Sequence, residues 1–215
     1  MLAALPALAT PQISVTGYGW AEYLPDRMAV TATFEALAPA PAQALARLAN
    51  SSNPFLEGLK ELGLNASLTG FSLEAVHSYE SGSKVLKGYR ARMSLRVVLT
   101  DLELAGEVAS LAARCGAKEV NAYAYPSKGL VERAYLEALE MAARDAKLRA
   151  EAVAKGLGLA LGEPVRIEIG KAYWWPPVRA LGEAGKAYKA AVTIPAPAKE
   201  RAEAWVTVTF TTLKK

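Results

Sequence analysis

One cysteine and one histidine stand in 215 residues, and that scarcity removes several kinds of chemistry at once. With Cys115 alone, no disulfide can close within the chain, which fits a reducing compartment or an exported protein that does not rely on bridges. With His77 alone, a zinc site needing two or more histidines is excluded, and any Ser-His-Asp or Cys-His unit would have to be built on that ring. His77 falls on the apolar side of a predicted strand and is expected to be packed or partly buried. Cys115 falls at a predicted helix end, where the negative end of the helix dipole disfavours a thiolate, so it reads as a structural thiol.

Long apolar runs are also missing. No stretch approaches the roughly eighteen consecutive apolar residues that a membrane-spanning helix requires, so no transmembrane segment is expected. Charge of one sign is missing as well: 25 Lys and Arg stand against 21 Asp and Glu, a net charge of +4, and the two signs are interleaved along the chain. A nucleic-acid footprint clusters its positive charge on one face or in a tail, so no nucleic-acid partner is expected. Gly17-Tyr18-Gly19 does not continue into G-x-G-x-x-G, and no G-x-x-x-x-G-K-[ST] occurs, which leaves nucleotide binding without support. Ser81-Gly82-Ser83-Lys84 spells S-x-x-K, but in a hairpin turn and without S-D-N or K-T-G partners, and is a chance match. Carboxylates are plentiful, yet none form a pair that the sequence places in a cleft. No catalytic residue, cofactor or metal ligand is assigned, and the chain reads as a non-enzyme.

What is present is the composition of a folded protein, 52% hydrophobic and 21% charged. Alanine and leucine dominate while Gln, Cys and His are scarce, a balance compatible with a thermophilic source. Residues 1–10 read as the tail of an export signal or a disordered N-terminus, because Met1 to Ala9 is uncharged and apolar and ends in Ala7-Leu8-Ala9, a small-x-small pattern. This favours a periplasmic or other envelope location; a cytoplasmic one follows if Met1 is the true start.

From residue 11 to 215 the periodicities predict one α+β domain. Ile13, Val15 and Gly17 alternate with Ser14, Thr16 and Tyr18 in a first strand, and Met28, Val30, Ala32 and Phe34 with Ala29, Thr31 and Thr33 in a second. Pro41 to Leu62 is helical, with a kink or break expected at Asn53-Pro54. A long hairpin follows, Ala66 to Glu80 and Val85 to Leu99, with Phe71, Leu73, Ala75, His77 and Tyr79 on one face of its first arm. Asp101 can cap a helix running to Cys115, and a short strand spans Glu119 to Tyr125. Leu130 to Leu157 is the longest helix, about 40 Å, with a stripe of Ala138, Ala142, Ala146 and Ala150 suited to close packing. Strands are expected at Pro164 to Ile169 and Ala202 to Leu213, separated by a long loop or arm at 171–199. The predicted architecture is thus an antiparallel or mixed sheet with a long hairpin, packed against two to three helices, one of them long and alanine-rich.

Two surfaces stand out as candidate contacts. Tyr173, Trp174, Trp175, Pro176 and Pro177 concentrate aromatic and proline residues in the 171–199 segment, and exposed apolar patches of that kind mark contact surfaces. Arg90, Arg92 and Arg96 line the polar face of the second hairpin arm, opposite Glu74 and Glu80, so cross-strand pairing is expected there.

The order of segments resembles the bacterial SIMPL-domain family, exported proteins of poorly defined function that include periplasmic immunogenic proteins. Ile13-Ser-Val-Thr-Gly-Tyr-Gly19 followed by Pro25-Asp26 is similar to the family's opening strand, glycine pair and turn. Lys87-Gly88-Tyr89 and Thr100-Asp101-Leu102 resemble its central signatures, and Gly116-Ala117 with Val120 its following strand. Ala138-Leu139, Ala142 to Lys147, Ala150-Glu151, Gly158 and Leu161-Gly162 look like its alanine-rich helix and exit. The resemblance implies an α+β fold, an envelope location, self-association into a homo-oligomer or contact with another envelope protein, and a link to stress tolerance. It carries over no catalytic residues. The alternative class is a small-ligand binder or enzyme with a pocket between the long helix and the sheet.

Overall fold

The computed structural model describes residues 11–80, 83–170 and 194–214. In chain order the elements are β1 (Gln12–Tyr23), β2 (Arg27–Ala38), α1 (Pro41–Glu61), β3 (Ala66–Glu80), β4 (Ser83–Leu99), α2 (Leu104–Arg114), β5 (Glu119–Tyr125), α3 (Lys128–Gly156), β6 (Leu159–Ile169) and β7 (Glu200–Lys214). The fold is α+β, with two antiparallel sheets, and within the 11–215 span it gathers into two compact units. None of the helices among the described residues is long and apolar enough to cross a membrane.

The first unit takes the described parts of 1–24, 127–176 and 199–215. Its sheet runs β1-β7-β6, and α3 lies over the face formed by Ile13, Val206, Val208 and Phe210. Ser127 begins α3 by accepting a hydrogen bond from the Leu130 N–H, which satisfies one of the donors a helix start leaves free. Along α3, Ala134, Ala138, Ala142, Ala146, Ala150 and Ala154 recur every four residues and are all buried. The ridge they form has no side chains beyond Cβ, so the helix can approach the sheet more closely than usual.

How closely is set by Gly17 and Gly19. A Cβ on Gly17 would fall inside contact distance of the Ala142 carbonyl oxygen, and one on Gly19 would do the same at Ala138. Helix and strand therefore touch backbone to backbone, leaving no room for a ligand along this part of the α3–β1 seam. The approach also lets Asp145 reach the sheet edge, where its Oδ2 accepts a 2.8 Å hydrogen bond from the Tyr18 N–H. β1 is an edge strand, and an outward N–H held by a carboxylate is not free to pair with another chain.

The second unit takes 25–126 and the described part of 177–198. Its sheet runs β3-β4-β2-β5, with α1 and α2 packed on one face. The core is Met28, Val30, Phe34, Leu48, Phe55, Leu59, Val97, Leu99 and Val108. Pro54 lies inside α1, which runs from Pro41 to Glu61 without a break, so the alternative of two separate helices does not occur. Phe55 and Leu59, immediately after the proline, are fully buried against the sheet, and that packing holds the helix together across the missing N–H.

β2 pairs with β4 only as far as Ala38 opposite Tyr89, so the rest of the β3–β4 hairpin continues without β2 beside it. Gly88 stands at this departure with φ of 141°, and a Cβ there would lie 2.6 Å from the Ala38 carbonyl oxygen. Only glycine tolerates both the backbone conformation and the approach.

Candidate interaction surfaces

The arginine face of β4 is largely neutralised from within. Arg90 Nε lies 3.2 Å from Glu35 and its Nη1 3.3 Å from Glu74, so the expected pairing with Glu74 is formed. The side chain of Glu80 lies outside the described residues. Arg92 pairs with Glu119 at 3.1 Å, and the guanidinium of Arg96 lies 6.0 Å from the centre of the Tyr123 ring. The three arginines reach β2, β3 and β5 and tie the strands of one sheet to each other. Each such half-exposed pair is worth at most about 1 kcal/mol. Tyr173, Trp174, Trp175, Pro176 and Pro177, the other sequence candidates, lie outside the described residues.

β3 behaves differently from the sequence expectation. Leu68, Phe71 and Leu73 pair with Leu95, Met93 and Ala91, which places them on the side of the sheet that carries α1 and α2. Yet Leu68 is 60% exposed and Phe71 53%, because the helices lie mainly over β4, β2 and β5, while on the outermost strand Ala66 packs against the core. His77, expected to be packed, is exposed for the same reason. Cys115 does match its reading: it caps α2, packs against the core, and burial pushes its thiol up despite the nearby Arg114.

The first unit repeats the pattern. Ile167 and Ile169 of β6 pair with the buried Val208 and Val206, but each is 62% exposed. β3 and β6 are both outer strands whose apolar rows run beyond the helical layer.

The face of β1 and β7 turned away from α3 carries a separate cluster. The Tyr18 hydroxyl donates to Glu203 Oε1 at 2.9 Å, and Tyr18 and Trp205 rings meet at 5.4 Å. Glu22 is held low by hydrogen bonds from Arg201 and Lys199, while the Arg201 guanidinium lies 4.4 Å from the centre of the Trp20 ring. Asp145, on the α3 side, is held low first by the Tyr18 N–H and then by Arg149 at 2.9 Å.

Tyr23, at the end of β1, gives a pH prediction. Burial, reinforced by the bond its hydroxyl donates to Glu200 at 3.0 Å, pushes its phenol up to about 12. The unfolded phenol titrates near about 10, so the folded state holds this proton more tightly. The stability it contributes is fully present below about pH 10 and is lost as pH rises towards about 12. Urea midpoints measured across that window should fall with pH, and Tyr23→Phe should flatten the fall; an equal slope in both proteins would contradict the assignment.

With this geometry in hand, comparison with known proteins gives one match. A family model described as SIMPL, a protein of unknown function (DUF541), matches residues 13–210. No curated protein matches the chain significantly.

Proposed function

The chain belongs to the SIMPL family, a family of unknown function, and from that premise we propose that it is a non-enzymatic protein of the cell envelope that works by assembling with copies of itself. The observation that carries this reading is β3, an outer strand of 15 residues on which Leu68 is 60%, Phe71 53% and Leu73 38% exposed. An outer strand offers unpaired N–H and C=O groups along its length, and sequences that remain monomeric blunt such strands with charge, proline or a covering element. On β1 the Tyr18 N–H is held in this way by Asp145. From Ala66 to Leu73, β3 carries no charged residue, and its regular run open to pairing is Gly70 to Val76, between irregularities at Leu68/Gly70 and Val76/His77.

Magnitudes show what such pairing needs. Completing the burial of a half-exposed Leu or Phe yields roughly 1 kcal/mol, so six of them across a symmetric strand pair yield roughly 6 kcal/mol. That only reaches the lower range of the roughly 4–15 kcal/mol cost of association, so the backbone ladder must form as well. The open β6 row gives each copy a second edge, which permits assemblies larger than a dimer.

Export and a link to stress tolerance belong to the same proposal, supported by the family resemblance and by the Ala7-Leu8-Ala9 stretch. Recovery of the native protein in the cytoplasm on cell fractionation would contradict the location. The assembly is tested by Phe71→Lys combined with Leu73→Lys. The two side chains are exposed, so circular dichroism should be unchanged while the solution mass drops to that of one chain. An unchanged mass would remove β3 as the contact.

A further inference from the structure

β3 is symmetric about one residue. Its regular run, Gly70 to Val76, has Leu73 at the centre, and Leu73 is also the midpoint of the whole strand from Ala66 to Glu80. Phe71, Leu73 and Ala75 lie on the side that bears α1 and α2, opposite Met93, Ala91 and Tyr89, while Ser72, Glu74 and Val76 point to the other side.

The other open edges differ from β3 in ways that bear on pairing. β5, the opposite edge of the same sheet, has Val120, Ala122 and Ala124 packed against the core, so pairing along it would add little apolar burial. β6 has an open row in Ile167 and Ile169, but its ladder is irregular from Leu161 to Arg166 and contains Pro164, which has no N–H to donate. Its regular run is Arg166 to Ile169, little more than half that of β3. The edge that matches β3 over its full regular length, with an equal apolar row on the same side, is β3 of a second copy.

Two identical strands related by a two-fold axis perpendicular to the sheet run antiparallel, and both helical layers stay on one side. Only the position of the axis is then open. With the axis at Leu73 the whole run finds partners: Leu73 faces the partner's Leu73, Phe71 the partner's Ala75, Ser72 the partner's Glu74 and Gly70 the partner's Val76. A large side chain meets a small one at Phe71, and Glu74 stands across from a serine with its own Arg90 3.3 Å away. One residue further on, an axis at Glu74 sets two carboxylates directly opposite, which destabilises a strand pair. One residue back, an axis at Ser72 sets Ala75 and Val76 against the irregularity between Leu68 and Gly70, so the paired run is shorter at both ends.

On the reading that copies assemble through β3, we propose that the surface it meets is β3 itself, joined antiparallel about Leu73. The two four-stranded sheets then form one continuous sheet, and the Phe71, Leu73 and Ala75 rows of both copies lie side by side between the two helical layers.

The test is oxidative cross-linking of full chains that each carry one added cysteine, Leu73→Cys, Ser72→Cys or Glu74→Cys, with the wild-type chain as the control for Cys115. Facing residues of an antiparallel pair have Cα atoms about 4.5–5.5 Å apart, within disulfide reach, whereas a residue one step off the axis meets its own copy at about 7–8 Å, beyond that reach. Leu73→Cys is expected to give about fivefold or more linked dimer than either neighbour, with peptide mapping placing the bond between the two introduced thiols. Phe71→Cys and Ala75→Cys should link to each other when the two proteins are mixed and neither should link alone, which reads the same register without altering Leu73. All five positions are exposed, so circular dichroism should be unchanged in each protein. Preferential linking through Ser72→Cys or Glu74→Cys would overturn the register. Absence of linking in every protein, with a solution mass still a multiple of one chain, would overturn pairing through β3 and leave assembly intact. A single-chain mass for the wild type would remove the assembly reading and this inference together.

Discussion

Gly17→Val is expected to unfold the first unit. The added side chain would have to occupy the space of the Ala142 carbonyl and the Ala146 backbone, and neither is the movable end of a flexible side chain. Relief requires α3 to lift from β1, which would withdraw the buried alanine ridge and pull Asp145 from the Tyr18 N–H. Overpacking alone commonly costs about 1–3 kcal/mol, and a clash with main chain on both sides belongs at or above the top of that range. Against a total stability of about 5–15 kcal/mol, this is a large fraction. The control is Gly129→Ala near the start of α3, where a Cβ meets nothing within 4 Å. It should be neutral or stabilising by about 0.5 kcal/mol, since alanine favours the helix. Urea unfolding reads both; a wild-type midpoint for Gly17→Val would contradict the backbone contact.

Phe55→Ala is expected to cost about 3–5 kcal/mol, the usual range for removing a buried phenylalanine. Phe55 is fully buried and meets Phe34 at a ring separation of 5.4 Å, so the change opens a cavity between α1 and β2 and also removes an aromatic pair. The effect should be much larger than that of Phe71→Ala, because Phe71 is 53% exposed in the isolated chain. If the two substitutions destabilised equally in dilute solution, the assignment of Phe71 to the surface would fail.

Local pattern made most elements readable. Alternation located β1, β2 and the hairpin, β5 was bounded at Glu119 and Tyr125, and the alanine stripe of α3 is the packed face it suggested. Other features depended on distant parts of the chain. Period-two alternation shows that Phe71, Leu73 and His77 share a face, but whether a helix reaches that face depends on where α1 and α2 end across the sheet. The same limit applies to Ile167 and Ile169. Pro54 predicts a kink or a break from local sterics, and the break does not occur, because Phe55 and Leu59 are fully buried on the same helix. Gly17 and Gly19 stood out as a possible phosphate motif, which their spacing then excluded; their use became visible only with the alanine ridge against them.

The interaction surfaces divide in the same way. Alternation puts Arg90, Arg92 and Arg96 on one face of β4, but their partners Glu35 and Glu119 come from β2 and β5, which local spacing does not bring together. Alternation places Tyr18 and Trp20 on the same face of β1 and Trp205 on the outward face of β7. Their adjacency follows from the register that sets Tyr18 opposite Trp205.

The central claim is that this chain acts by assembling with itself. Its most direct test is the solution mass of the native chain from Thr10 onward, by light scattering coupled to gel filtration across a dilution series. A stable multiple of the single-chain mass that is lost in the Phe71→Lys, Leu73→Lys protein is the result expected. A single-chain mass at every concentration would contradict it.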